Sequence, residues 1–186
     1  MRESADWFAD YAGLVGNRYG DRVKRFATFN EPSVFSLLGF AFGAHAPGLT
    51  DRDALHRVIH NVNRAHGRAV DVIRATVTEA SLGAVHNVQP CLPATSFAED
   101  REAAPTFGQY WNNAFPDPQL EGRYPSLLSD VFAPLVATDD MTANQRPVDW
   151  FGLNHYSPVY VKADSGSVIG SGFGPAPAEV PRTAIG

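Results

Sequence analysis

Five consecutive residues, Thr28-Phe29-Asn30-Glu31-Pro32, set a carboxyl group beside a carboxamide at the point where the apolar run Phe26-Ala27-Thr28-Phe29 stops. Ser33 and a helix-like apolar segment follow the proline. A strand that ends in Asn-Glu-Pro presents its acid at the carboxyl end, where barrels of alternating strands and helices carry their chemistry. An acid held there by an adjoining amide and a rigid ring suits proton transfer to a leaving oxygen. Glycoside hydrolysis is the reaction class it fits, and both standard routes need two carboxyl groups flanking the sugar bond. One of the two must stay protonated near neutral pH, which burial and a second carboxylate nearby bring about. The plain alternative is that Glu31 is a surface-loop residue.

The elements that must position Glu31 are readable from spacing. Ser4 is read as the cap of a helix whose apolar positions are Trp7, Phe8, Tyr11, Leu14 and Val15, ended by Gly16-Asn17. Residues 23–29 read as a strand and 34–42 as a short helix running into the loop Gly43-Ala44-His45-Ala46-Pro47-Gly48. Thr50-Asp51-Arg52-Asp53 resembles a capping box. It opens a helix with apolar residues at Leu55, Val58, Ile59, Val62, Ala65, Ala69, Val70 and Ile73. Residues 81–88 read as a second strand, stopped by Gln89-Pro90, and 99–115 as a polar helical stretch. Asp117-Pro118 and Gly122-Arg123-Tyr124-Pro125 read as turns. Residues 127–136 read as a helix that Pro134 disturbs. A third strand, 148–153, ends at Asn154-His155-Tyr156. Such alternation implies an α/β chain of parallel strands with helical crossovers. The organised part is expected over residues 1–162, with 163–186 a Gly/Pro-rich loop or ragged end.

Size and composition narrow the function. The 186 residues suit one domain and fall short of the roughly 250 of a complete eight-stranded barrel. Net charge is −5 with both signs scattered and no basic stripe, which argues against nucleic acid as a partner. No apolar stretch approaches a membrane span, and Met1-Arg2-Glu3-Ser4-Ala5-Asp6 holds no apolar signal core. Cys91 is the single cysteine, so no intramolecular disulfide forms. A reducing, cytoplasmic setting is expected. The residues set no oligomeric state.

Other side chains with chemical potential have simpler readings. His56 and His60 are four apart on a helix, but Arg57-Val58-Ile59 between them lacks the Glu of a zinc-protease motif, and they are read as exposed helix histidines. His66 falls near the apolar face and is read as a hydrogen-bonded core histidine. Cys91, near His86 and between Pro90 and Pro93, is read as buried and inert. Gly170-Ser171-Gly172-Phe173-Gly174-Pro175 lacks the Lys of a phosphate loop and is read as flexible. Trp7, Trp111 and Trp150 could stack on sugars, although Trp7 and Trp150 sit in apolar patterns and are read as core.

From about residue 5 to residue 161 the chain resembles glycoside hydrolase family 1, the β-glucosidase and β-galactosidase group of retaining glycosidases. Thr28-Phe29-Asn30-Glu31-Pro32 is similar to the family's acid/base signature and Phe42-Gly43-Ala44-His45-Ala46-Pro47-Gly48 to its following loop. Residues 61–75, with Ala65-His66 and Ala69-Val70, are similar to the helix after that loop. Asn87-Val88-Gln89-Pro90 is similar to the next strand's end, and Asp117-Pro118 with Gly122-Arg123-Tyr124-Pro125 to the Asp-Pro…Gly-x-Tyr-Pro segment. Asp149-Trp150-Phe151-Gly152-Leu153-Asn154-His155-Tyr156 is similar to the family's Asp-Phe-x-Gly-x-Asn-Tyr-Tyr strand. The resemblance implies a (β/α)8 barrel present in part, about strands four to six. It implies Glu31 as general acid/base, Asn30 as donor to the sugar 2-hydroxyl, Tyr156 as donor to the nucleophilic carboxylate and Asn154 as support of the same shell. The implied ligand is a β-glucoside or a related oligosaccharide or aryl glycoside, with no cofactor and no metal.

The chain departs from the family pattern at defined places. The nucleophile segment Thr-Glu-Asn-Gly does not occur in it, nor do the sugar-binding Gln, His and Trp of the earlier strands. Phe26 stands where Trp is common, His155 where Tyr is common, and Ser33 where a bulky leaving-group contact is frequent. The isolated chain is therefore expected to be inactive. A non-catalytic remnant or sugar-binding fragment, and a different barrel glycosidase that also places Asn-Glu-Pro after a strand, are the competing readings. The Asn-His-Tyr strand end and the Gly-x-Tyr-Pro segment argue against the latter.

Overall fold

The structure is a computed structural model and describes residues 3–181. In chain order its helices are α1 (Ser4–Tyr19), α2 (Pro32–Phe40), α3 (Arg52–Thr76), α4 (Ala98–Gly108), α5 (Ser129–Phe132) and α6 (Asp140–Asn144). Its strands are β1 (Arg25–Asn30), β2 (Ser81–Asn87), β3 (Cys91–Pro93), β4 (Trp150–Asn154), β5 (Val159–Ala163) and β6 (Ser171–Phe173). The expected α/β alternation is present: β2 lies between β1 and β4 in one three-stranded sheet, and both pairings are parallel.

α3 and α1 cover one face of that sheet. Ala69, Val70 and Ile73 of α3 pack with Ala12 of α1 on Leu82 and Phe26. Asp51 caps α3 by accepting a hydrogen bond from the Ala54 amide at 2.9 Å, so the cap is Asp51 and not Thr50. Ser4 is likewise not a cap but the first helical residue of α1. α1 also runs past Gly16-Asn17 to Tyr19, because Gly13 and Gly16 are contact positions and not helix stops. A Cβ on Gly13 would lie 3.0 Å from Val72 Cγ1, and one on Gly16 would lie 2.5 Å from Thr76 Oγ1. The close approach selects Ala5, Ala9, Ala12, Gly13 and Gly16 for the buried face and leaves the large side chains outside. Trp7 is 66% exposed, which overturns its reading as core.

The second sheet continues the first past its carboxyl end. β3 and β5 pair in parallel beyond the breaks at Pro90 and Pro158, and β6 pairs antiparallel with β5. Gln89 joins the two sheets: its Nε2 donates to the Ser157 carbonyl at 2.8 Å and its Oε1 accepts from Trp111 Nε1 at 2.8 Å. The larger core cluster lies here, with Val159 and Val161 against Phe107, Tyr110, Trp111 and Phe115. Trp111 is thereby buried. β6 corrects the reading of residues 163–186 as loop and of Gly170 to Pro175 as flexible. Phe173 sets its ring edge-on to Phe107 and Trp111, a packing that the local Gly-rich sequence does not announce. Residues 182–186 of that expectation lie outside the described residues.

The 99–115 helix is interrupted. Pro105 sits inside α4, and the chain then widens into a π-helical turn, Gln109–Asn113, where Asn112 Nδ2 donates to the Gln89 carbonyl at 2.9 Å. Asp117-Pro118 opens a second such turn, Asp117–Glu121, and not a simple reversal.

Buried polar contacts line α3. His56 and His60 are 8% and 3% exposed, contrary to their reading as exposed helix histidines. His56 Nε2 lies 2.8 Å from the Tyr110 hydroxyl, while His60 lies 2.8 Å from the Tyr124 hydroxyl and 3.0 Å from Asp140. The connection between β2 and β4 folds back over that face of α3 and supplies these partners. Among the described residues no group of three metal-capable side chains forms. His66 is fully buried, as expected, with Nδ1 2.7 Å from Thr28 Oγ1.

Burial pushes His66 down to about 3 and His86 down to about 4. Both rings are neutral in the folded chain, while the unfolded chain protonates them near the ordinary value of 6.5. Their contribution to stability is therefore complete above about 6.5 and is lost as pH falls from there toward about 4. Urea unfolding at pH 5 should show a loss of about 2 kcal/mol per ring relative to pH 7.5. Replacing both histidines with Gln should flatten that slope. An unchanged slope in the double variant would contradict the assignment.

Candidate active site

Glu31 stands where β1 gives way to α2. Its backbone is left-handed, φ 50° and ψ 55°, a conformation that costs a residue with a Cβ roughly 1–2 kcal/mol. Pro32 takes the first helical position, where its missing N–H removes no hydrogen bond. Glu31 occupies the cap position of α2, yet its side chain makes no capping bond. The carboxylate instead accepts a hydrogen bond from Asn154 Nδ2 at 2.7 Å, across 123 positions of sequence.

That contact follows from sheet register. β2 pairs Val85 with Gly152 and Asn87 with Asn154, so Val85, Asn87 and Asn154 share the face opposite the helices. β1 slips by one residue between Ala27 and Asn30, where Ala27 pairs with Gly83 and Asn30 with Val85. This bulge turns Phe29 back to stack on Phe8 of α1 at 4.5 Å while Asn30 faces the site. Asn30 Oδ1 accepts from the same Asn154 amide nitrogen at 3.2 Å. Glu31, Asn30 and Asn154, from two edge strands, thus meet at the sheet's carboxyl end.

Tyr156 lies just past β4, 78% exposed, and no hydrogen bond holds it among the described residues. Two further side chains belong to the neighbourhood and were not singled out as site residues from the sequence. Ser33 and Asn87 are both buried, and Ser33 Oγ donates to Asn87 Oδ1 at 2.7 Å. Asn87 opens the Asn87-Val88-Gln89-Pro90 string, so its place at a strand end was available. Nothing in the local sequence signals its bond to Ser33.

Asp149, Glu79, Asp117 and Glu121, candidate acids to pair with Glu31, lie elsewhere. Asp149 precedes β4 and accepts from the Leu82 amide at 2.7 Å and from Arg74, which hold its carboxyl below the usual range. Five residue steps separate it from Asn154, roughly 16 Å at the rise of a strand, against the roughly 5–5.5 Å between the carboxyls of a retaining glycosidase. Glu79 precedes β2 at the same far end. Asp117 and Glu121 sit on the turn whose Gln119 donates to Asn63 of α3 at 3.0 Å, behind the sheet. Cys91 is half-buried, and burial pushes its thiol up to about 11, leaving little thiolate for nucleophilic work.

The chain matches the family model of Glycosyl hydrolase family 1 over residues 1–172. It is 39% identical to β-glucosidase A of Thermotoga maritima over 189 aligned residues, covering 100% of this chain and 42% of that protein. A β-glucosidase of an Agrobacterium species is 35% identical over 167 residues, 88% of this chain and 36% of that one. The solved family 1 β-glucosidase of T. maritima superposes with a TM-score of 0.84 at 38% identity, covering 100% of this chain and 42% of that chain. The chain thus spans less than half the length of the relatives it matches.

Removing the Asn154 amide should loosen Glu31 without unfolding the sheet. Asn154→Ala is expected to cost about 1–2 kcal/mol in urea unfolding at pH 7, the worth of its part-exposed hydrogen bonds to Glu31 and Asn30. A loss of several kcal/mol would instead mark Asn154 as a core residue.

Proposed function

The chain belongs to glycosyl hydrolase family 1, and from that membership we propose that it is the central part of a retaining β-glycosidase of the β-glucosidase type. Glu31 protonates the leaving oxygen, a carboxylate carried outside this chain forms the glycosyl-enzyme, and Glu31 then activates water. Asn30 holds the sugar 2-hydroxyl. Asn154 keeps the Glu31 carboxyl oriented, and Tyr156 donates to the nucleophile. The ligand is a β-glucoside or a related oligosaccharide or aryl glycoside.

The observation that carries this reading is the 2.7 Å contact of Asn154 with Glu31 at the carboxyl end of a parallel sheet. It joins two segments that resemble separate family motifs. The surface supports a partial barrel, about strands four to six. β1 and β4 are sheet edges, and apolar side chains stand exposed beside them. Trp7, Tyr11 and Leu14 of α1 and Phe151 and Leu153 of β4 are all exposed. An apolar groove of about 330 Å³ between Phe8, Phe29, Phe40 and Val62 opens on the β1 side. Further strands and helices of a barrel would cover these surfaces. Residues 1–162 are the barrel segment in this reading.

Hydrolysis of an aryl β-glucoside by the purified 186-residue chain should not exceed that of its Glu31→Gln variant, because among the described residues Asp149, Glu79, Asp117 and Glu121 all stand away from Glu31. Turnover above the variant would contradict the proposed route. Source DNA read beyond Gly186 should encode Thr-Glu-Asn-Gly in frame; stop codons there would favour a non-catalytic remnant.

A further inference from the structure

We infer that Ser33 and Asn87 are positioning residues that hold Glu31 in its left-handed backbone and so aim its carboxyl at Asn154. The inference deepens the proposed role of Glu31 and rests on that reading. A residue with a Cβ keeps a left-handed backbone only when its surroundings over-determine it. Two fasteners do so here, one on each side of Glu31, and both reach β2. On the strand side the Glu31 amide donates to the Val85 carbonyl at 2.8 Å. On the helix side Ser33, at the second position of α2, donates from its hydroxyl to Asn87 Oδ1 at 2.7 Å.

Val85 and Asn87 are two apart on one strand, so β2 grips the turn at two points, by the Val85 carbonyl and by the Asn87 side chain. Ser33 and Asn87 are 4% and 3% exposed, which shields their bond from competing water. The Ser33 hydroxyl is the one partner of the Asn87 side chain among the described residues, since Asn87 Nδ2 has none. Without that hydroxyl the first turn of α2 is free to rotate about Pro32. The backbone at Glu31 would then relax away from Asn154. The cap geometry agrees: the α2 amides do not hold the Glu31 carboxyl, so it meets Asn154 only where the backbone places it.

The test follows the Asn154 side-chain amide by NMR in the 186-residue chain, with Glu31→Ala as the reference for a broken bond and urea unfolding to confirm folding. Ser33→Ala and Asn87→Ala should each move the Asn154 amide resonance toward its Glu31→Ala position. The double variant should move it no further than either single one, and Ser33→Thr should leave it near the native position. A resonance that stays put while stability falls would make the pair structural only and overturn the inference, as would loss of folding in both single variants. The signal reports placement and not turnover. Turnover of an aryl β-glucoside by this chain above its Glu31→Gln variant would therefore contradict the proposed route and leave this result standing.

Discussion

The parallel pairing of β2 with β1 on one side and β4 on the other carries the rest of the arrangement. It brings the end of β1 beside the end of β4, and only then can Asn154 reach Glu31. The pairing depends on small residues at its contacts. A Cβ on Gly83 would collide with the Trp150 indole, and one on Gly152 would lie 2.7 Å from Val85 Cγ2. The Asp149 carboxyl adds a fixed point by accepting from the Leu82 amide, so the lower end of β4 is pinned before the strand begins. A one-residue slip would turn Asn154 to the helix face and remove it from the site.

The helices behind the sheet have a different task. α3 carries apolar residues toward β1 and β2 and polar residues toward the connection that returns over it. Arg64 and His60 meet Asp140 of α6 there, at 3.1 Å and 3.0 Å. Gly67 lets α6 approach, since any Cβ at that position would fall on the Ala143 carbonyl. A buried ion pair of this kind adds little net stability over a packed apolar contact, while removing one partner alone is costly. The second sheet, held through Gln89, fixes the segments that leave β2 and β4 just above Glu31.

Much of this was legible in the chain. Glu31 and its strand, the long α3 and the β4 end at Asn154 all rest on local signals: a motif, a helical period, a strand stopped by polar residues. What was not legible depends on partners distant in sequence. Helical spacing put His56 and His60 on a polar flank but held no sign that Tyr110, Tyr124 and Asp140 would cover it. The apolar pattern of α1 pointed to Trp7, whereas packing against α3 favoured the alanines and glycines. Ser171 to Phe173 looked like loop because its strand character comes from pairing with β5 and from the ring of Phe173. The bond from Ser33 to Asn87 spans 54 positions and leaves no trace in either neighbourhood.

The central claim is that this chain presents Glu31 as the acid/base of a family 1 site. It is tested most directly by grafting the chain in place of the matching segment of T. maritima β-glucosidase A and assaying aryl β-glucosides of good and poor leaving groups. The account predicts an active chimera that loses about 10²–10⁴-fold on Glu31→Ala for poor leaving groups and far less for good ones, where protonation matters least. A folded chimera whose activity is the same with and without Glu31 would contradict it.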